Sequence, residues 1–287
     1  MPNLPGMTIR EMRSTDLAFA ASCTAGEGWV SENKSTLEGF LIKDPHGCLL
    51  AEEHGHPVGI CIATFYGKSG FIGELIVRPE ARGRGVGASL LNYGVSVLKA
   101  RRAETIYLDG VLKAVELYVR NGFRKVCRSW RFTGHLAGAS SHRVRRMTVN
   151  DLEQVSVLDN RYFGGDRSFY LRYRLELFPE LSYVMTDGKR ITGYILGRGG
   201  KGWLSAGPCI AISEAGDPLD LLNAFALEAH ERPISIGILD TNQPACRFVQ
   251  SLGFEPRLDS PWRMALGTGD DLGASPQCFA IGSAAKG

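Results

Sequence analysis

The 287-residue sequence lacks most of the features that would assign it quickly. It has no apolar run near the ~20 residues a membrane helix needs, and its opening residues MPNLPGMTIREMRSTDL carry charges where a signal peptide is apolar. It has little excess charge. Lys plus Arg number 33 against 30 Asp plus Glu, a formal net charge of +3, which is too slight to argue for a nucleic-acid-binding surface. The seven cysteines, at positions 23, 48, 61, 127, 209, 246 and 278, include no C-x-x-C pair, and their odd count suits a reduced protein better than a disulfide frame or a structural zinc site. No G-x-x-x-x-G-K-[ST] string occurs, so a nucleotide P-loop is excluded. The expectation is a soluble, cytoplasmic protein with no metal and no nucleic-acid or membrane partner. Its composition is otherwise that of a globular chain, 44% hydrophobic and 22% charged, with length enough for about two domains.

What is present is a long-period repeat. Ile9 to Leu17 reads IREMRSTDL and Val144 to Leu152 reads VRRMTVNDL; LDGVLKAVELYVRNGF, Leu108 to Phe123, is matched by LDTNQPACRFVQSLGF, Leu239 to Phe254. Each copy then reaches a Trp-Arg pair, Trp130-Arg131 and Trp262-Arg263. A period this long exceeds any solenoid unit and points to two copies of one domain. The small, polar GHLAGASSH reads as the connection, giving a first domain at 1–133, a linker at 134–142 and a second domain at 143–287. Within the first copy, CLLAEEHGHPVGICIATFY alternates and turns at His54 to Pro57 as an antiparallel hairpin, with His54 and His56 on the surface. FIGELIVRP is a buried strand, SLLNYGVSVLKARRA a helix with Leu90, Leu91, Val95 and Leu98 on one face, TIYLDG a strand, VLKAVELYVRNG a helix closed by Gly122, and RKVCRSWRF a last strand. This order makes an α/β fold with a mixed sheet. In the closing segment, the apolar CFAI of Cys278 to Ile281 reads as an edge strand.

The chemistry concentrates in LIVRPEARGRGVGASLL, Leu75 to Leu91. A buried strand enters a loop with glycines at 83, 85 and 87 and then a helix, so free backbone N–H groups can point at an anion. Arg82 and Arg84 place guanidinium groups, which grip phosphate oxygens bidentately, beside that turn. A pyrophosphate is the economical ligand. Gly83, Gly85 and Ala88 also satisfy G-x-G-x-x-A with Glu104 some way on, so a dinucleotide-dependent oxidoreductase is formally open, although RPEAR intervenes between strand and first glycine.

The string Arg82-Gly83-Arg84-Gly85-Val86-Gly87 resembles the R-x-x-G-x-G/A signature of the GCN5-related N-acetyltransferases (GNAT), and LDGVLKAVELYVRNGF resembles their second signature. The resemblance covers about Thr8 to Thr133. It implies tandem acyl-CoA N-acyltransferase folds. It also implies acetyl-CoA as donor, its pyrophosphate on the amides of residues 83–88 (Gly83, Arg84, Gly85, Val86, Gly87, Ala88) and its pantetheine arm beside Leu75, Ile76 and Val77. Tyr118 matches the family tyrosine that protonates the departing thiolate; by spacing alone, with Val111, Ala114 and Val115, it reads equally as a core residue. A carboxylate must take the proton of an amine acceptor, small molecule or protein, and Glu74 on the flanking strand is the candidate, with Glu27 in GEGW as a pocket residue. Val111 stands where the family commonly has Asn or Thr.

The second copy resembles the degenerate second domain of tandem members. It replaces RGRGVGASLL with CIAISEAGDPLDLLNAFALE, putting Glu214, Asp217 and Asp220 near the turn, and has Val249 in the place of Tyr118. Tyr162, Asp166, Arg167 and Tyr170 form a polar aromatic cluster that either shapes an acceptor pocket or packs a helix. The expected activity is direct transfer of acetyl from acetyl-CoA to a primary amine; a non-catalytic acyl-CoA sensor is the alternative. The acceptor and the oligomeric state are not written in the sequence.

Overall fold

A computed structural model describes residues 6–29, 33–200, 202–212, 217–269 and 272–287. In it the repeat becomes two copies of one order of elements. The first runs β1 (Met7–Glu11), α1 (Leu17–Gly26), α2 (Lys34–Lys43), β2 (Cys48–Glu53), β3 (His56–Tyr66), β4 (Ser69–Val77), α3 (Val86–Ala100), β5 (Thr105–Gly110), α4 (Val115–Arg120) and β6 (Arg124–Gly134). The second runs β7 (Val144–Arg146), α5 (Leu152–Phe163), α6 (Ser168–Leu177), β8 (Ser182–Asp187), β9 (Arg190–Gly200), β10 (Trp203–Ala211), α7 (Pro218–Ala226), β11 (Ile234–Leu239), α8 (Gln243–Ser251), β12 (Glu255–Pro256) and β13 (Trp262–Leu266), and β14 (Cys278–Ala280) closes the list. No helix among the described residues is long and apolar enough to cross a membrane.

Local chemistry explains the repeated opening. Arg10 holds Asp16 at 2.7 and 3.0 Å, and Arg145 holds Asp151 at 2.8 and 2.7 Å. Each aspartate also accepts a backbone N–H three residues earlier, from Arg13 and Thr148, at 2.7 Å, and so closes the turn that starts a helix. The β2–β3 hairpin turns on His54 and Gly55, both at positive φ, the conformation a two-residue hairpin loop requires. Successive residues of a strand face opposite layers: Leu49 packs with the α3 and α4 side, Leu50 with the α1 and α2 side.

The strands form one mixed sheet in the order β1-β2-β3-β4-β5-β13-β6-β11-β10-β9-β8-β7. The closing strands are exchanged. β13, from the second half of the chain, pairs with β5 of the first, while β6, from the first half, pairs with β11 of the second. The only parallel pairings among the described strands are β4 with β5 and β10 with β11, and both are short.

The Cys278–Ala280 strand is not on an edge. It pairs antiparallel to Cys209 and Ile210 of β10, and the N–H of Ile281 donates to the Gly237 carbonyl of β11 at 2.9 Å. It thus fills the gap opened where β10 and β11 part beyond Ala206 and Ile236. Residues 282–287 then run towards the first half. Tyr170 Oη donates to the Gly282 carbonyl at 3.2 Å and Arg167 Nη1 to the Gly287 oxygen at 3.1 Å. Arg167 is itself clamped by both Asp159 oxygens at 2.9 Å, and Asp166 accepts the Ser168 N–H at 2.9 Å. Arg167 and Tyr170 therefore hold chain rather than line a pocket.

Candidate active site

β4 carries a bulge at its centre. Ile62 faces Gly73 and Ile60 faces Ile76, so Glu74 and Leu75 share the space opposite Cys61. Glu74 adopts φ +43, which non-glycine residues seldom do. The parallel ladder to β5 covers only Ser69–Phe71 against Thr105–Tyr107. Beyond it β5 stays paired with β13, and the far end of β4 faces a cleft of about 970 Å³.

On the other side of that cleft α3 begins. Gly83 at φ +76 and Gly85 at φ +86 turn the chain through left-handed conformations that only glycine adopts without strain. The helix opens with the Ser89 N–H bonded to the Gly85 carbonyl, so the amides of Val86, Gly87 and Ala88 have no partner within it. Glu74, Leu75, Ile76, Val77, Arg82, Gly83, Gly85, Gly87, Ala88 and Tyr118 all line the cleft. Two residues of the motif do not. The Arg84 side chain pairs with Glu53 at 2.8 Å, and the Val86 side chain is buried in the core, leaving only its main chain for the helix start.

The cations near the turn are already engaged. Arg82 donates Nε to the Val77 carbonyl at 2.8 Å and pairs through Nη2 with Glu27, which also accepts from Lys113 at 3.0 Å. Burial opposes the ionisation of Glu27, but Lys113 and Arg82 outweigh it and hold the carboxyl below its ordinary range. Tyr118 is 7% exposed, stacks edge-on against Phe123 at 6.2 Å and lies against Gly110, where a Cβ would meet its ring at about 2.9 Å. Burial pushes its phenol up. The Glu74 side chain is 0% exposed; Oε1 accepts from the Lys286 ammonium, and Oε2 has no hydrogen-bond partner among the described residues.

One residue escaped the sequence reading. Asp109 of β5 lines the cleft with its carboxylate buried, taking Arg263 Nε at 2.5 Å, Ser129 Oγ at 2.7 Å and Arg131 Nη2 at 3.3 Å. Burial draws the Arg131 guanidinium down, with Asp109 opposing. The repeated Trp-Arg pairs were the available signal: their arginines arrive from the two exchanged strands and converge on this acid. Trp203 and Ser205 of β10, Ser235 of β11 and Arg198 of β9 complete the wall, so both halves of the chain enclose one space.

The family model described as Acetyltransferase (GNAT) family matches residues 13–123, and a second, described as Acetyltransferase (GNAT) domain, matches 155–274. The chain belongs to the GNAT family. A mycothiol acetyltransferase of Stackebrandtia nassauensis is 32% identical over 125 residues, a match spanning 40% of this chain and 40% of that relative. Among solved structures, a candidate acetyltransferase from Pyrococcus horikoshii aligns over 100% of this chain and 99% of its own at 24% identity, with a TM-score of 0.80. A tandem GNAT protein from the clavulanic acid biosynthesis pathway aligns over 92% and 100% at 15% identity, with a TM-score of 0.64.

The second GNAT copy keeps the bulge without its chemistry. Gly197 faces Ala206 and Ile195 faces Cys209, so Gly207 stands where the first copy has Glu74. The opening between β10 and β11 is occupied by β14. At the start of α7 the Asp217 carboxylate accepts the Leu219 N–H at 2.9 Å, and Pro218 has no N–H to offer, so the helix caps itself where α3 is open. Asp220 lies in that first turn, Val249 is fully buried, and Glu214 lies outside the described residues.

Proposed function

We propose that this GNAT protein is an N-acetyltransferase whose first half, residues 1–133, takes acetyl-CoA, and whose second half, 143–287, walls the acceptor side of the same cleft. The observation that carries this reading is the splayed end of β4 facing an uncapped, glycine-turned helix start, present in the first copy and blocked in the second. The amides of residues 83–88 are assigned to the pyrophosphate, where the helix dipole favours negative charge. Arg82 and Lys113 supply charge at that end, with Glu27 as their counter-ion until phosphate arrives. The main chain of Leu75, Ile76 and Val77 is assigned to the pantetheine arm, and a backbone N–H of that strand to the oxyanion.

In the reaction, the acceptor amine attacks the thioester carbon and a C–N bond forms. The amine proton passes to Glu74, directly or through water; the C–S bond then breaks, and the leaving thiolate takes a proton from Tyr118. The products are an acetamide and free coenzyme A; Glu74 then gives its proton to solvent and Tyr118 regains one from it. The acceptor class is a primary amine, on a small molecule or a protein. A cytoplasmic setting fits the seven free, buried cysteines.

Calorimetric titration of acetyl-CoA and of NADH into the wild type and a Gly85→Glu variant tests this reading. Acetyl-CoA is expected to bind at one site per chain and to lose that site in the variant, whose carboxylate would stand among the free amides. Absence of acetyl-CoA heat in the wild type, or NADH heat in its place, overturns it.

A further inference from the structure

Residues 282–287 end their course against the β4 bulge. There a Cβ on Gly73 would collide with the Ala285 carbonyl oxygen, and Tyr66 Oη donates to the Lys286 carbonyl at 2.9 Å. The Lys286 side chain is wholly buried, its ammonium 4.6 Å from the centre of the Phe40 ring and paired with Glu74 Oε1. Ser283, Ala284 and Ala285 line the cleft and Glu74 lines it too, but Lys286 does not. The ammonium therefore meets the carboxylate from the Phe40 side, away from the cleft. The oxygen it leaves, Oε2, is the buried and unpartnered one.

Packing does not account for this arrangement. A buried ion pair adds little net stability over apolar residues of similar volume, so anchoring a chain segment does not require one. Its effect is on charge. A carboxylate removed from water reverts to the neutral acid unless an opposite charge compensates it. Titratable groups near the pair include Cys48 on β2 and Tyr66 on β3. Burial pushes both up, Cys48 to about 12, so they stay neutral near pH 7.

We propose that Lys286 is a positioning residue for acyl transfer: it keeps Glu74 ionised, fixes Oε1, and leaves Oε2, the unpartnered oxygen of a residue that lines the cleft, as the proton acceptor. The segment 282–287, supplied from the far end of the second copy, is thereby a working part of the first copy's site. This rests on the acyl-transfer reading above. Lys286 keeps its own proton throughout; the proton taken from the amine by Oε2 returns to solvent when the product leaves.

Infrared difference spectra of the full chain, wild type against Glu74→Gln, report the protonation of Glu74 without any acyl-CoA. The carboxylate band is expected at pH 7. Lys286→Met should replace it at pH 7 with the band of a neutral acid, and Lys286→Arg should restore it. A neutral Glu74 in the wild type at pH 7 overturns the proposal even if the Met variant does not fold. So does a persistent carboxylate in a folded Met variant. With acetyl-CoA and a primary amine, the Met variant should lose about 100-fold in kcat at pH 7, recover as pH rises, and bind acetyl-CoA unchanged. Calorimetry on the same samples separates the two readings, because missing acetyl-CoA binding removes the acyl-transfer assignment while a neutral Glu74 removes this one alone.

Discussion

Tyr118 and Glu74 share a cleft but are held by different forces. Tyr118 is fixed by an apolar shell and by the glycine at position 110, whereas Glu74 is fixed by charge. Removing the Tyr118 hydroxyl leaves the shell intact, so Tyr118→Phe is expected to keep acetyl-CoA affinity and lower kcat by about 100-fold or more in a thiol-release assay. An acyl-CoA sensor would show unchanged binding and no turnover in either form. Acid stability also belongs to this scale. Arg145, through its side-chain hydrogen bonds, holds the Asp151 carboxyl down at about 2, and Arg10 lowers that of Asp16 in the same way. Carboxyls lowered by folding contribute stability in full above their unfolded value near 4, and that contribution is lost as pH falls through the folded one. Thermal melts between pH 5 and pH 2 should show the wild-type midpoint falling more steeply than that of an Arg10→Met, Arg145→Met double variant.

Among the elements, the two bulged strands β4 and β10 have diverged from one pattern into an open cleft and a filled one. Gly207 holds φ +136, and a Cβ there would also collide with the Ile281 carbonyl oxygen. Gly207→Ala is therefore expected to lift residues 278–281 off β10 and lower stability by about 1–3 kcal/mol. Urea unfolding gives that loss, and faster proteolysis between residues 267 and 287 locates it. The hairpin turn at His54-Gly55, the Gly83-Gly85 turn, the helix over Leu90, Leu91, Val95 and Leu98 and the Thr105–Gly110 strand were legible because each is set by neighbours within a few positions. The bulge at Glu74 was not, because it is a mismatch in register between two strands. The partners of Asp109 and the course of Cys278 to Ile281 were not either: Arg263 meets Asp109 across 154 positions and Lys286 meets Glu74 across 212, and no periodicity records such a pairing.

At the scale of the molecule, the repeat suggests two units in a row, and the sheet joins them by trading strands. A chain ending at residue 133 would leave the edge of β5 without β13 and would carry β6 with neither neighbour. Bare strand edges pair with other molecules. Residues 1–133 expressed alone should aggregate or run oversized in gel filtration, and co-expression with 143–287 should recover a soluble 1:1 complex. Independent folding of the fragment as a monomer would contradict this.

The exchange also bears on synthesis. β5 is complete at Gly110, but the strand that seals it begins at Trp262. At roughly 5–20 residues per second, translation leaves that edge uncovered for about eight to thirty seconds on every ribosome. Through that interval the first half waits, unfinished and in need of shielding, for a part of itself not yet made.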